Sequence, residues 1–495
     1  MYRRLAALAA IVMTVLATAS PSTAATNHPT LVPAADPTAT DVATLAIDYA
    51  HPAGRLAQDA VGLSFEVREL GIGNLDPERG NVTQMFRTLG PSNVRVGGNT
   101  LDRDTLWIPG SALPPDPKPD WVQSILTPND IKRFRDLLDR TGWTSIVAVN
   151  AGRPDLPRIT DEAKALERIL GRKLVALGCG NEPDQWLGRG YKTAPFDYPQ
   201  YHADWAACAD ATGSTKLSGP DTAGTGSTWA GNLAEDETAR MKLLTVHQYA
   251  SGPTITIDQL LGPSQTAAQL RSVAPNLAAA NANGLPIRID EANSAFSGGV
   301  DGVSNRYASA LWVIDYGLSM AQAGVAGVNI HGGLGVCNEP IWNGFFQRYT
   351  PFCAANKAYE LAQVYKAMPI YYGMWMARQM GPGRFLPLQL SSTRNITAYA
   401  VRGDDGRTRI ALVQKDQTSA APVQVTLNVG GPTRGAKVLR MTGTSLADVP
   451  TAVQGATVDI AGKLKPGPPD SVPARDGSLT LSVAAGSAAV ITLDR

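Results

Sequence analysis

Two stretches of this sequence end an apolar run in a glutamate. Val175-Ala176-Leu177-Gly178-Cys179-Gly180-Asn181-Glu182-Pro183 does so at Glu182, and Ile287-Arg288-Ile289-Asp290-Glu291-Ala292-Asn293-Ser294 does so at Glu291. Each run reads as a buried strand, and Pro183 stops the first because it has no N–H to give a sheet. A carboxylate delivered there has no packing role. Two that face each other can cleave a glycosidic bond: one, protonated, assists the leaving oxygen, while the other, ionised, attacks the anomeric carbon. A gap of about 5–5.5 Å implies retention through a covalent intermediate. Crowding two anions raises the pKa of one, so the acid of the pair can stay protonated near working pH. Arg95 ends another apolar run, and its guanidinium can hold the nucleophile of the pair ionised. Asn181, beside the acid, can donate to a sugar 2-hydroxyl. Regular pleating points Glu291 inward and Asp290 outward, toward an Arg on the helical side.

Eight strand-like runs supply the scaffold: Val61 to Phe65, Asn93 to Gly97, Thr144 to Asn150, Val175 to Glu182, Lys216 to Gly219, Leu243 to Tyr249, Pro286 to Glu291 and Gly327 to His331. Helical stretches lie between them, including one around Ile131, Phe134, Leu137 and Leu138, then Pro199 to Thr212 and Arg306 to Ala323. This alternation predicts an α/β fold, a (β/α)8 TIM barrel over 59–380, with both glutamates on its C-terminal rim. After about Gly381 the helices stop. Alternating runs such as Thr397 to Val401, Ile410 to Val413 and Ala489 to Leu493 predict a C-terminal β-sandwich over 381–495, with Asp404-Asp405-Gly406 as a hairpin turn. The alternating run Val42 to Tyr49 precedes the barrel, so 42–58 is expected to give the sandwich an N-terminal strand.

The motifs themselves carry a resemblance. Gly180-Asn181-Glu182-Pro183, His247-Gln248-Tyr249 and Glu291-Ala292-Asn293-Ser294 resemble the clan A glycoside hydrolases. Arg95-Val96-Gly97-Gly98-Asn99-Thr100 and Val61-Gly62-Leu63-Ser64-Phe65-Glu66 are similar to glycoside hydrolase family 79, which holds heparanase and microbial β-glucuronidases. The resemblance covers nearly all of the chain after its N-terminal segment. It implies a retaining β-glycosidase acting on a terminal β-linked glucuronic acid, with Glu182 as acid/base and Glu291 as nucleophile. Tyr249 is implied to position Glu291, with His247, Asn99, Asn293, His331 and Gly332 around the sugar. In the family a Tyr and Gly amides after the nucleophile contact the uronate. Here Phe296-Ser297-Gly298-Gly299 stands at that place; Phe296 cannot donate, whereas the Gly298 and Gly299 amides can. A neutral-sugar glycosidase (glucose, galactose or xylose), an endo-acting heparanase-like enzyme and a carbohydrate-binding protein with a disabled site stay open.

Composition bounds the remaining choices. The chain has 495 residues, 44% apolar and 18% charged, with net charge +1. It is globular and long enough for two domains, and nothing in its balance favours nucleic acid or a membrane surface. Arg3-Arg4, the apolar Leu5 to Leu16 and Ser22-Thr23-Ala24 read as a signal peptide over 1–24, so the mature protein is expected to be secreted. Residues 25–41, rich in Pro, Ala and Thr, read as a linker. Four cysteines allow Cys337–Cys353 across a loop, and then Cys179–Cys208, although two buried thiols fit the second pair as well. With five histidines and no Cys-x-x-Cys, neither metal nor cofactor is expected. Trp107, Trp121 and Trp186 follow barrel strands, where they either stack on sugars or fill the core. The loop from Gly332 to Phe352 could close the pocket. Asn338-Glu339-Pro340 in that loop repeats the key tripeptide without a strand to hold it, so a substrate contact fits it better than catalysis.

Overall fold

The computed structural model describes residues 41–110, 112, 114–115, 117–341, 344–430 and 433–494. The expected signal peptide and linker therefore lie outside the described residues, apart from Asp41. Two strands come first, β1 (Asp41–Ile47) and β2 (Ala53–Leu56). The barrel then begins with β3 (Val61–Glu66) and β4 (Asn93–Gly97). A small parallel ribbon of β5 (Thr105–Trp107) and β6 (Ser124–Leu126) interrupts it. It resumes with β7 (Thr144–Val149), β8 (Leu174–Cys179), β9 (Leu217–Thr222), β10 (Met241–Tyr249), β11 (Ile287–Asn293) and β12 (Gly327–Gly332).

β3, β4 and β7 to β12 pair in parallel and close on themselves, β12 meeting β3. Helices on the outside and side chains on the inside bury both faces, so these strands read as apolar runs rather than alternating ones. The helix Pro128–Thr141 shows how local sequence sets the register. Thr127 and Asp130 form a capping box, Pro128 opens the first turn, and Gly142 closes the helix in the left-handed region. Its Ile131, Phe134, Leu137 and Leu138 are fully buried.

Phe352–Ala354 and Tyr365–Ala367 pair as a small antiparallel ribbon after the barrel, and the other strands form two larger sheets. Four strands run in the order Leu388–Ser391, β1, Val423–Asn428 and Ser478–Val483; the larger sheet begins with β2 and Gly383–Leu386. Leu45, Val425 and Leu481 of the first face Ile410, Val438 and Ile491 of the second across one core. Both strands before the barrel thus enter the sandwich, β1 in one sheet and β2 in the other.

The sandwich also packs on the barrel. Asp315, on the helix Ala308–Ala323, accepts from Lys415 Nζ at 2.6 Å and from the hydroxyls of Thr397 and Thr266, each at 2.7 Å. Both members of this ion pair are buried. Asp315→Ala leaves the ammonium unpaired, and a loss of about 3–5 kcal/mol is expected in chemical unfolding. An unchanged unfolding midpoint contradicts that account of the junction. Among the described residues, no helix is long and apolar enough to cross a membrane.

Candidate active site

Strand β8 stops at Cys179, and Glu182 lies in the turn beyond it rather than on the strand. The turn needs unusual backbone. Gly180 has φ 85°, with the Trp186 ring packed where a side chain would stand, and Glu182 has φ 49°. The Glu182 N–H donates to the Asp221 carbonyl at 2.9 Å, which fixes the turn against the end of β9. The disulfide Cys179–Cys208 ties the strand end to the helix Tyr198–Thr212. Cys337–Cys353 closes the loop after β12, so the first pairing forms as expected and the second pair, open between a disulfide and two thiols, is bonded as well.

Glu291 sits on β11, almost wholly buried. Its Oε2 accepts from Arg95 Nη1 at 2.7 Å and its Oε1 from the Tyr249 hydroxyl at 2.8 Å. His331 Nδ1 stands 3.7 Å from Oε2, and Ser64 Oγ, 3.0 Å from that same nitrogen, holds the ring. Glu182 meets His247, whose Nδ1 lies 3.2 Å from Oε1, and its Oε2 pairs with Arg189. An oxygen of Glu182, a nitrogen of His247 and an oxygen of Glu291 all lie within 4.8 Å of one another. The two glutamates therefore meet at one small gap on the rim, with carboxylate oxygens within 4.8 Å of each other.

Charge is distributed unevenly over this pair. Burial pushes the Glu291 carboxyl up, yet His331, His247, Arg95 and the Tyr249 hydroxyl hold it well below the usual carboxylate range. Glu182 is lowered as well: His247 and Arg189 outweigh its burial and the repulsion of Glu291. This corrects the expectation that crowding alone keeps Glu182 protonated. Burial pulls His247 down, but Glu291 and the bond to Glu182 raise it to about 9. Its Nε2 lies 3.3 Å from Arg95 Nη2, a contact that suits a neutral ring, and 3.9 Å from Asp290 Oδ1. Glu291, Glu182 and Asp290 lie around the ring and outweigh its burial and the repulsion of Arg95. These opposite shifts favour a proton on His247 over one on Glu182.

Asp290 is the second correction. It points inward, 3.4 Å from Arg95 Nε, and has no partner on the helical side among the described residues. The pairing of β10 with β11 explains this: Val246 is opposite Ile289, but His247 is opposite Glu291, so Asp290 is the extra residue of a bulge. Burial and the nearby Asp221 push its carboxyl up to about 7, against Arg95 and His247. Glu182, His247 and Glu291, or Asp221, His247 and Asp290, have the spacing of metal ligands. Arg95 and a charged His247 already occupy the positive positions that a cation would take.

The other sequence-derived residues divide into two groups. Asn181 accepts from Arg95 Nη2 at 2.7 Å and donates to Asn99 Oδ1 at 3.2 Å, so both line the acid side. Asn293 spends its amide on the carbonyls of His331 and Tyr349, and thus braces the rim. Gly332 ends β12 under Thr350 and Pro351. Phe296 is 48% exposed and lies over Gly252. The Gly298 carbonyl accepts from Arg348 N at 2.7 Å, linking the loops after β11 and β12. Trp107 and Trp186 are buried, their indole N–H groups donating to Asp161 and to the Asn181 carbonyl, so neither is a sugar platform. Trp121 stays partly exposed, and Glu339, in the disulfide-closed loop, is exposed. Arg189, Asp221 and Tyr349 were not singled out from the sequence. Tyr349 packs 5.9 Å from His331 and 6.1 Å from Tyr249, ring to ring.

Known proteins resemble this chain in part. Residues 398–490 match the glycosyl hydrolase family 79 C-terminal beta domain. A β-glucuronidase of Neurospora crassa is 27% identical over 292 residues, 50% of each chain. One of Aspergillus niger is 26% identical over 282 residues, 48% of this chain and 50% of its own. The chain thus spans about half the length of the curated relatives it matches. Among solved structures, a 4-O-α-L-rhamnosyl-β-D-glucuronidase from Fusarium oxysporum superposes with TM-score 0.74 at 21% identity, over 91% of this chain and 100% of that one. A family 51 arabinofuranosidase from Xanthomonas axonopodis pv. citri does so with TM-score 0.67 at 15% identity, over 92% and 100%. These structures share the fold, a barrel carrying a β domain. The resemblance to glycoside hydrolase family 79 is thus carried by the C-terminal β domain and by two β-glucuronidases that match half of the chain.

Proposed function

We propose that this chain is an exported, retaining β-glycosidase that removes a terminal β-linked glucuronic acid. The observation that carries the reading is the approach of Glu182 and Glu291 to within 4.8 Å, with Glu291 held as an anion by Arg95 and Tyr249. The family's named β-glucuronidases support the sugar, and the sequence of 1–24 supports export.

The site's geometry gives the steps. A glycosidic oxygen entering beside Glu182 displaces Arg189, and Glu182 takes the proton from His247 Nδ1. Glu291 attacks the anomeric carbon while Glu182 passes that proton to the leaving oxygen. In the second half, Glu182 removes a proton from water, the water oxygen attacks the same carbon, and Glu291 leaves with net retention. The chemistry needs no cofactor.

Tyr349 brings to the pocket a phenol that Phe296 lacks, and the Gly298 and Gly299 amides lie on the same loop junction. These are the donors assigned to the uronate. The exposed Phe296 favours one second reading, a β-glycosidase on a neutral sugar. Paired hydrolysis of aryl β-glucuronide, β-glucoside, β-galactoside and β-xyloside separates the two. The glucuronide is expected to lead by at least about tenfold in kcat/KM, because a site that pairs a charged group rejects an analogue lacking it. A neutral glycoside in the lead establishes the second reading, and binding to glycans without turnover of any of them overturns both.

A further inference from the structure

The rim next to Glu182 holds three guanidinium groups that the proposed chemistry does not need. Arg103 follows β4, Arg153 follows β7 and Arg189 follows β8, so neighbouring barrel loops deliver them to one place. Arg153 lies between two rings, 5.4 Å from the Trp121 centroid and 4.9 Å from that of Tyr191. Its Nε donates to the Asp102 carbonyl at 3.1 Å, and no acidic side chain among the described residues pairs with it. Arg103 is neutralised by Asp104 at 2.9 Å, and Arg189 is taken by Glu182. Burial and Asp102 make the Tyr191 hydroxyl harder to ionise, while Arg189, Arg103 and Arg153 act against them, so all three cations lie near enough to act on that hydroxyl. The Asp102 carboxylate cannot serve them directly. It is buried and accepts the N–H groups of Ala151, Gly152 and Asn181 at 3.1, 2.8 and 2.8 Å. Those bonds also anchor the patch to the residue preceding Glu182.

We infer that Arg153, held between Trp121 and Tyr191 and flanked by Arg103 and Arg189, forms a leaving-group subsite for a carboxylate-bearing aglycone. The inference rests on Glu182 being the acid, since the aglycone departs on the acid's side. Trp121 and Tyr191 offer faces for a ring, and stacking presents the planar guanidinium edge-on for a bidentate carboxylate contact. Such a ligand also gives Arg189 a second anion when the substrate displaces it from Glu182.

The test compares two leaving groups on one glycone. The 3-carboxyumbelliferyl glycoside is measured against its uncharged 3-carboxamide, on whichever sugar the paired screen shows to be cleaved. The subsite is thereby tested even where glucuronic acid proves to be the wrong sugar. At low salt the carboxylate is expected to lead about tenfold in kcat/KM, and the lead is expected to shrink toward unity near 1 M salt as the charges are screened. Arg153→Gln is expected to bring the low-salt ratio to about one. Arg103→Gln, on a partly exposed side chain, serves as a second variant and is expected to lower the ratio about threefold. A wild-type ratio at or below one overturns the proposal, and so does a tenfold lead that both variants retain.

Discussion

Glu291→Gln is expected to lower kcat by about 10⁴-fold or more, because an amide cannot form the glycosyl ester and the second step has nothing to release. Glu182→Gln removes a proton donor and base, an effect on the order of 10²–10⁴-fold. The two losses differ in kind. With an aryl leaving group that departs without help, Glu182→Gln slows mainly the second half-reaction, so azide is expected to restore turnover and give a glycosyl azide of retained configuration. Azide attacks Glu291→Gln differently, giving the inverted product. Steady-state rates and the anomer of the azide, read by NMR, check both. Wild-type-like turnover in either variant, with the fold intact by circular dichroism, contradicts the assignment.

The second large effect is on pH dependence. His247 is raised to about 9, so the proton it shares with Glu182 is present below that value and lost as pH rises through it. On the acid side Glu291 stays ionised until well below the usual carboxylate range. kcat/KM is therefore expected to fall only above about pH 9, with a long acidic plateau. His247→Gln keeps a hydrogen-bond donor but removes the proton store. A fall on the order of 10²-fold in kcat is expected, with the basic limb displaced from about 9. An unmoved basic limb in that variant separates His247 from the proton's path. His247 is a positioning and proton-holding residue here, and the limb is the readout that a merely structural role leaves unchanged.

Much of this site could be read from residue order because a parallel barrel turns sequence into geometry. The apolar runs before Glu182 and Glu291 each occupy a buried strand, and strands β8 and β11 bring their ends to one rim. Arg95 was legible for the same reason, whereas Tyr249 and His247 came with the resemblance of their motif. Each lies on a strand whose boundaries the sequence marks. Misreadings arose where the backbone leaves the regular pattern. Alternation places Asp290 outside, and the bulge opposite Val246 and His247 turns it inward. No periodicity reveals a bulge, because the extra residue is as apolar or polar as its neighbours allow. Lys216 to Gly219 was read too short, since Pro220 looks like a strand end. The strand continues through Thr222, and Asp221 was lost with it. Arg189 lies in an irregular turn, where neither period two nor period 3.6 applies. Trp186 was open to reading as a sugar platform because its place after a strand is right, but its ring is used to pack Gly180 and hold the turn that aims Glu182.

The balance of charge in the site carried less signal. Composition gives no hint that His247 and Arg189, rather than a second carboxylate, decide the ionisation of Glu182. That depends on which nitrogen lies within 3.2 Å of which oxygen. The sandwich was easier. Strand β1 alternates strictly, with Ala43, Leu45 and Ile47 buried on one face, and no barrel strand alternates that way.

The central claim is most directly tested by trapping the intermediate. A 2-deoxy-2-fluoro glycosyl fluoride of the cleaved sugar slows both half-reactions but the second more, and the modified peptide is then located by mass spectrometry. The adduct is expected on Glu291, with one glycosyl group per chain and reactivation on adding a glycosyl acceptor. A stable adduct on any other residue, with the Glu291 peptide unmodified, contradicts the account.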